Sequence, residues 1–353
     1  MNDAFQRRMA EAARLMRSGS LAQATAAIQQ ALGAAPAVVE PGARGAPVGG
    51  GGDVIDVEAR VVPEPGARPA APAAGPAAAA ESFTSGHYRD EAGGRDYKLF
   101  VPAGAGVGRP LVVMLHGCTQ DPDDFARGTR MNALARAHGL LVLYPAQSRR
   151  TNAQRCWNWF KHNHQARGKG EPAILAGMVG DIAARHGVDP DRVFVAGLSA
   201  GGAMAAILGD AYPDVFAAVG VHSGLPAGAA TDVQTAFAAM GGGAPAPRRS
   251  PRHGATPPTI VFHGDADTTV NVVNAERVLA AAGVSARADV QRGARHSRRI
   301  WVDAQGAERA EQWTIHGAGH AWSGGDRAGS YTDPGGPDAS AEMLRFFLAH
   351  PRR

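Results

Sequence analysis

The sequence predicts an α/β fold, with a mostly parallel central sheet and helices packed on both faces. Three observations carry that prediction. Short continuous apolar runs, such as residues 111–115 (LVVML) and 140–144 (LLVLY), read as strands covered on both faces. Helical patterns alternate with those runs across the C-terminal three-quarters of the chain. Polar residues with chemical potential follow directly after strands, where parallel sheets build their sites.

In order along the chain, residues 1–32 come first. Phe5, Met9, Ala12, Leu15 and Met16, then Leu21, Ala24, Ile28 and Leu32, recur at helical spacing on either side of Gly19 and Ser20. They predict a short N-terminal amphipathic helical segment. Residues 33–82 are mainly Ala, Pro and Gly. Such a stretch buries too little apolar surface to offset its ordering entropy, so a disordered linker is expected. The folded domain is expected over 83–353. Strands are predicted at 97–101, 111–115, 140–144, 193–196, 217–221, 259–262 and, last, 312–315. Helices are predicted at 124–138, 173–186, 200–211, 274–282 and 339–349. Residues 225–258, rich in Gly, Ala and Pro, read either as a flap over the site or as a disordered insertion.

Composition excludes some functions. With 36 Lys and Arg against 32 Asp and Glu, the net charge is only +4. No dense basic stripe is interleaved with aromatics, so nucleic-acid binding is not expected. The basic cluster at 247–253 lies among Gly and Pro and reads as a solvated loop. No run approaches the ~20 apolar residues of a transmembrane segment. The first residues show no recognisable signal-peptide core, which predicts a cytoplasmic protein, with an extracellular one as the alternative.

Residues 192–205 read RVFVAGLSAGGAMA. Within them, Gly197-Leu-Ser-Ala-Gly201 matches Gly-x-Ser-x-Gly with a strand before it and a helix after it. That context is the nucleophile elbow, a turn so tight that only small residues fit beside the serine. Ser199 is the candidate nucleophile, set at a helix N-terminus with its unpaired N–H groups. After the strand at 259–262 come His263-Gly-Asp-Ala-Asp267. Asp267 lies deeper in that loop than Asp265, which suits a turn, and is the candidate acid. After the last strand come His316-Gly-Ala-Gly-His320. Two glycines let that loop approach closely, and His320 is the candidate base, with His316 the competitor. Ser, Asp, His is the chain order of α/β-hydrolases. The loop after 111–115 begins His116-Gly-Cys118. The N–H groups of Cys118 and Ala200 are the candidate oxyanion donors.

The motifs LHGCTQ, CWNWF, GLSAGGAM, VHSG, HGDADTTV and GAGHAW occur together and in order. Across residues 83–349 the chain resembles the esterase domain of the polyhydroxybutyrate depolymerase family, which also includes feruloyl and acetylxylan esterases. The resemblance implies an α/β-hydrolase fold and a serine esterase using Ser199, Asp267 and His320. It implies an ester substrate, polymeric or oligomeric, and no cofactor. It does not extend to the N-terminal 82 residues. Feruloyl or acetylxylan esterase activity is the alternative. A non-enzymatic alternative is a polymer-granule or partner-binding protein docking through the N-terminal helices.

Cys118 and Cys156 sit in loops that both leave carboxyl strand ends. A disulfide pinning the oxyanion loop, or two reduced thiols, are both open. Trp157, Trp159 and Trp322 lie near the proposed catalytic loops and are candidates for an apolar substrate wall, with core packing the other reading. No metal is expected, because His162 with His164, and Asp265 with Asp267, each lack a nearby third ligand.

Overall fold

The structure, a computed structural model, describes residues 80–104, 106–243, 256–283, 288–303 and 305–352. The predicted N-terminal helices, nearly all of the predicted linker and the basic cluster at 247–253 lie outside the described residues.

Ten strands form one sheet: β1 (Ser82–Asp90), β2 (Gly93–Val101), β3 (Arg109–Leu115), β4 (Leu141–Pro145), β5 (Val188–Leu198), β6 (Ala218–His222), β7 (Thr259–Gly264), β8 (Ala288–Arg292), β9 (His296–Val302) and β10 (Glu308–Ile315). Their spatial order is β1-β2-β4-β3-β5-β6-β7-β10-β9-β8. The six strands from β4 to β10 in that order run parallel to one another. Antiparallel pairs finish both edges. The helices are α1 (Pro122–Thr129), α2 (Met131–His138), α3 (Gly170–His186), α4 (Ala200–Ala211), α5 (Val233–Met240), α6 (Val273–Ala281) and α7 (Ala339–Ala349). A two-stranded parallel pair joins β11 (Trp322–Ser323) to β12 (Thr332–Asp333).

The apolar run in β3 has the predicted reason. Alternate strand residues point to opposite faces. Leu111, Val113 and Leu115 enter the core shared with Leu175, Met178 and Ile182 of α3 and Met204 and Leu208 of α4. Val112 and Met114 enter the core shared with Phe125 of α1, Met131 of α2 and Phe346 and Phe347 of α7. A strand buried on both faces has no polar position to spare.

Three expectations need correction. The helix expected at 124–138 is two helices. Arg130 breaks it at φ 53°, and its guanidinium donates to the Gly324 carbonyl and the Asp338 carboxylate, both at 3.0 Å. The domain opens with β1 at Ser82, inside the expected linker. β1 lies at the sheet edge and is too polar to read as an apolar run. β8 and β9 were likewise not expected, since β9 reads HSRRIWV and is only half-buried along its length.

Candidate active site

Ser199 lies between β5 and α4, as the N-cap residue of the helix. Its backbone sits at φ 57°, ψ −118°, a conformation L side chains rarely adopt. Its N–H donates to the His222 carbonyl at 2.8 Å. The flanking glycines are required by space. A Cβ at Gly197 would lie 2.4 Å from Gly201 backbone atoms, and one at Gly201 would lie 2.0 Å from the Leu115 carbonyl oxygen. The turn is therefore wedged between β3 and its own helix, and only residues without a side chain fit. Such strain persists where the surroundings over-determine it, which is common at functional sites.

The loops after β7 and β10 meet each other at the carboxyl edge of the sheet, the edge that β5 also reaches at this turn. β7 and β10 are parallel neighbours, with Gly264 opposite Ile315. The Ala266 N–H then donates to the Ala318 carbonyl at 3.1 Å. Asp267 Oδ2 lies 2.7 Å from His320 Nδ1. Its Oδ1 accepts the N–H groups of Thr269 and Val270 at 2.8 and 2.9 Å. His263 Nε2 lies 3.5 Å from Oδ2 and 2.8 Å from the Val270 carbonyl. Burial pushes the Asp267 carboxyl up, but the hydrogen bonds to His263 and His320 outweigh it and hold the group well below the usual carboxylate range. An ionised carboxylate only accepts, so Nδ1 of His320 carries the proton and Nε2 is left free to take another. Among the described residues no hydrogen bond joins the Ser199 hydroxyl to that ring. In unliganded enzymes such contacts are often long and tighten with substrate.

The competitor, His316, is paired elsewhere. Its Nδ1 lies 2.9 Å from Asp265 Oδ2 and its Nε2 lies 2.9 Å from Ser297 Oγ, in an exposed position. The two aspartates of the loop thus serve two different histidines.

The loop after β3 is held at every residue. His116 is fully buried, and burial pulls its imidazole down to about 4. Its Nε2 accepts the Gln147 N–H at 3.1 Å, so Nδ1 donates to the Gly117 carbonyl at 2.7 Å. Gln120 Oε1 accepts the Gly117 N–H at 2.9 Å, and its amide nitrogen donates to Asp124 and Ser330. Thr119 donates its N–H to Gln154 O at 2.6 Å. Cys118 and Cys156 form a disulfide that ties this loop to the loop after β4. Among the described residues, no hydrogen-bond partner occupies the N–H groups of Cys118 or Ala200.

The loop after β4 is anchored by a buried carboxylate that sequence reasoning missed. Glu171, at the start of α3, is fully buried beside Arg95, whose Nη2 lies 3.1 Å from Oε1. Asn158 donates its backbone and side-chain nitrogens at 2.7 Å each, and Gln147 also donates to Oε1. Burial pushes this carboxyl up, but hydrogen bonds from His164, Gln147 and Asn158 together hold it below its ordinary value. Gln147 continues to the Cys156 carbonyl at 2.9 Å, linking the carboxylate to the disulfide. Glu171→Ala should destabilise the protein by roughly 3–5 kcal/mol, because it leaves the Arg95 charge buried alone. The sign of the pH dependence follows from the lowered carboxyl. Its contribution is complete above the unfolded value of 4.5 and is lost as the pH falls through the folded value. Melting temperatures measured from pH 7 to pH 3 should therefore show the gap between wild type and variant closing below about pH 4.5. A gap constant across that range would remove the ionised carboxylate from the account.

Trp157, Trp159 and Trp322 are 0%, 4% and 1% exposed. They pack behind the loops and offer no open face as an apolar wall. Trp157 Nε1 donates to the His116 carbonyl at 3.1 Å. Trp322 stacks on His222 with ring centroids 5.0 Å apart, meets Phe125 edge-on at 5.4 Å and donates to Ser340 Oγ at 3.0 Å. Trp159 meets the half-buried Phe160 edge-on. Among the described residues no three His, Cys, Asp or Glu side chains gather as metal ligands. No helix among them is long and apolar enough to cross a membrane.

A mostly parallel sheet with a serine on a strained strand-to-helix turn defines an α/β-hydrolase. The acetyl xylan esterase from Aspergillus awamori has the same fold, with a TM-score of 0.62 at 21% identity over 75% of this chain and 99% of that one. The chain belongs to the esterase PHB depolymerase family, whose sequence profile matches residues 95–312. That match contains Ser199 and Asp267 and stops short of His320. The poly(3-hydroxyalkanoate) depolymerase C of Paucimonas lemoignei is 34% identical over 255 residues, covering 67% of this chain and 58% of that protein. Feruloyl esterase B of Thermothelomyces thermophilus is 31% identical over 139 residues, covering 39% of this chain and 47% of that one. The chain thus spans less than two thirds of the length of either relative.

Proposed function

We propose that this protein is a serine esterase acting through an acyl-enzyme. Ser199 is the nucleophile, His320 the base and then the acid, and Asp267 the group that holds the imidazole. His320 Nε2 takes the serine proton as Oγ attacks an ester carbonyl. The Cys118 and Ala200 N–H groups hold the oxyanion of the tetrahedral intermediate. His320 returns the proton to the departing alkoxide. Water then attacks the acyl-enzyme by the same route, releasing the acid and restoring Ser199. The observation that carries this reading is the 2.7 Å contact between Asp267 and His320, which leaves Nε2 as the one ring nitrogen free to act as base.

The substrate class we assign is the ester bond of poly- or oligo-3-hydroxyalkanoates, supported by the relative from Paucimonas lemoignei, a poly(3-hydroxyalkanoate) depolymerase. A feruloyl or acetyl ester of plant polysaccharide is the second reading, supported by the relatives described as feruloyl and acetylxylan esterases. The disulfide beside the oxyanion loop favours an oxidising, extracellular setting over the cytoplasm. Fluorophosphonate labelling followed by peptide mapping tests the chemistry without a choice of substrate. Label on Ser199 is expected, and label elsewhere or none overturns the assignment. Comparing release of 3-hydroxybutyrate, ferulate and acetate from their respective esters then decides between the substrate classes.

A further inference from the structure

Each of the two chemical loops hangs on the same residue of the strand between them. His222 ends β6, with Leu198 of β5 opposite it on one side and Phe262 of β7 on the other. Its backbone carbonyl accepts the Ser199 N–H at 2.8 Å. Its ring Nε2 accepts the Ser323 N–H at 2.9 Å, three residues beyond His320. We propose that His222 is a positioning residue that locks the nucleophile turn to the segment carrying His320, its ring nitrogen serving as a fixed acceptor. This rests on the roles given above to Ser199 and His320.

The ring state fits that task. Because Nε2 accepts, the proton sits on Nδ1, which faces Ser223 Oγ at 3.2 Å. The ring is 1% exposed and lies between Phe262 and Trp322, stacked at 5.8 and 5.0 Å. Burial, followed by the charges of His263 and His320, holds the imidazole well below its ordinary value, against a smaller opposing pull from Asp267. The ring therefore stays neutral and its acceptor stays available. Phenylalanine would satisfy the stack equally well. What only the imidazole supplies is the acceptor for a buried N–H that would otherwise go unpaired. Losing it frees the segment from 320 to 323 to shift, and misplacing a reacting group by about 1 Å can cost on the order of 10²-fold in rate.

Two substitutions separate positioning from packing. His222→Phe keeps the aromatic stack and removes the acceptor. His222→Gln gives up the stack and keeps an acceptor oxygen near the Nε2 position. Each full-length variant is assayed for melting temperature, for kcat and KM on p-nitrophenyl butyrate, and for the rate of fluorophosphonate labelling. His222→Phe should lower kcat about 10- to 100-fold, with KM within about twofold and labelling slowed in parallel. His222→Gln should restore most of the lost turnover. A packing role predicts the opposite ranking, and that ranking overturns the proposal. So does wild-type turnover in His222→Phe, or equal loss in both variants at native melting temperature. If His222→Phe does not fold, His222→Gln decides: retained kcat supports the proposal and lost kcat sinks it. Wild-type protein that takes no label on Ser199 would instead remove the esterase reading itself.

Discussion

Ser199→Ala should hydrolyse p-nitrophenyl butyrate on the order of 10⁶-fold more slowly at kcat than the wild type. The substitution removes the proposed nucleophile and leaves the turn in place. The Ser199 N–H to His222 carbonyl bond belongs to the backbone and survives it. Gly197 and Gly201 still wedge the turn against β3. The melting temperature should therefore change little while turnover collapses. A residual rate about 10³-fold above water is expected from the oxyanion donors and binding alone. Steady-state assays on protein free of wild-type contamination measure both quantities. A variant that keeps more than a few percent of turnover would mean that another residue carries the chemistry.

Asp267→Asn should cost about 10⁴-fold in kcat. An asparagine can turn its amide nitrogen toward His320 Nδ1, where the carboxylate now accepts at 2.7 Å. The imidazole proton then moves to Nε2, the atom proposed to receive the serine proton. The loop itself should hold, since the side-chain oxygen can still accept from Thr269 and Val270. The wild-type carboxyl lies well below its ordinary value of 3.8. Its stabilising contribution is therefore complete above that value and drains away only in stronger acid, so its own titration should not shape the rate between pH 5 and pH 9. Asp265→Asn is the internal control. Asp265 serves the exposed His316, and its loss should leave kcat within about twofold, as expected for an exposed pair worth ~1 kcal/mol or less. The reverse ranking of the two variants would transfer the acid role to Asp265.

The centre of the sheet was legible because its strands are buried on both faces. A run such as LVVML has no other stable home in water. Its edges were not legible. β1 and β9 meet water along much of their length, so their polar residues mask the strand pattern. The break at Arg130 was equally invisible, because its partners Gly324 and Asp338 lie far along the chain. The tight turn at Ser199 was legible because local sterics dictate its glycines. The placements of Glu171 and His222 were not, since each is explained by contacts outside its own segment. VHSG marked the place of His222 without naming its task. The tryptophans were legible as neighbours of the site, but which way an indole faces is decided by the residues it meets across the fold. Trp157 and Trp322 turn inward because His116, Phe125 and Ser340 meet them there.

The Cys118–Cys156 cross-link gives preparation history a chemical meaning. It spans 38 residues between two loops on the same rim of the sheet. Closing a loop of that length restrains the unfolded chain by about 4 kcal/mol in the entropic account. Two batches of identical mass to within two hydrogens, one folded with an oxidant and one with thiols kept reduced, would share a circular dichroism spectrum at low temperature. They would differ in how firmly the Cys118 amide is aimed, and so in specific activity and shelf life.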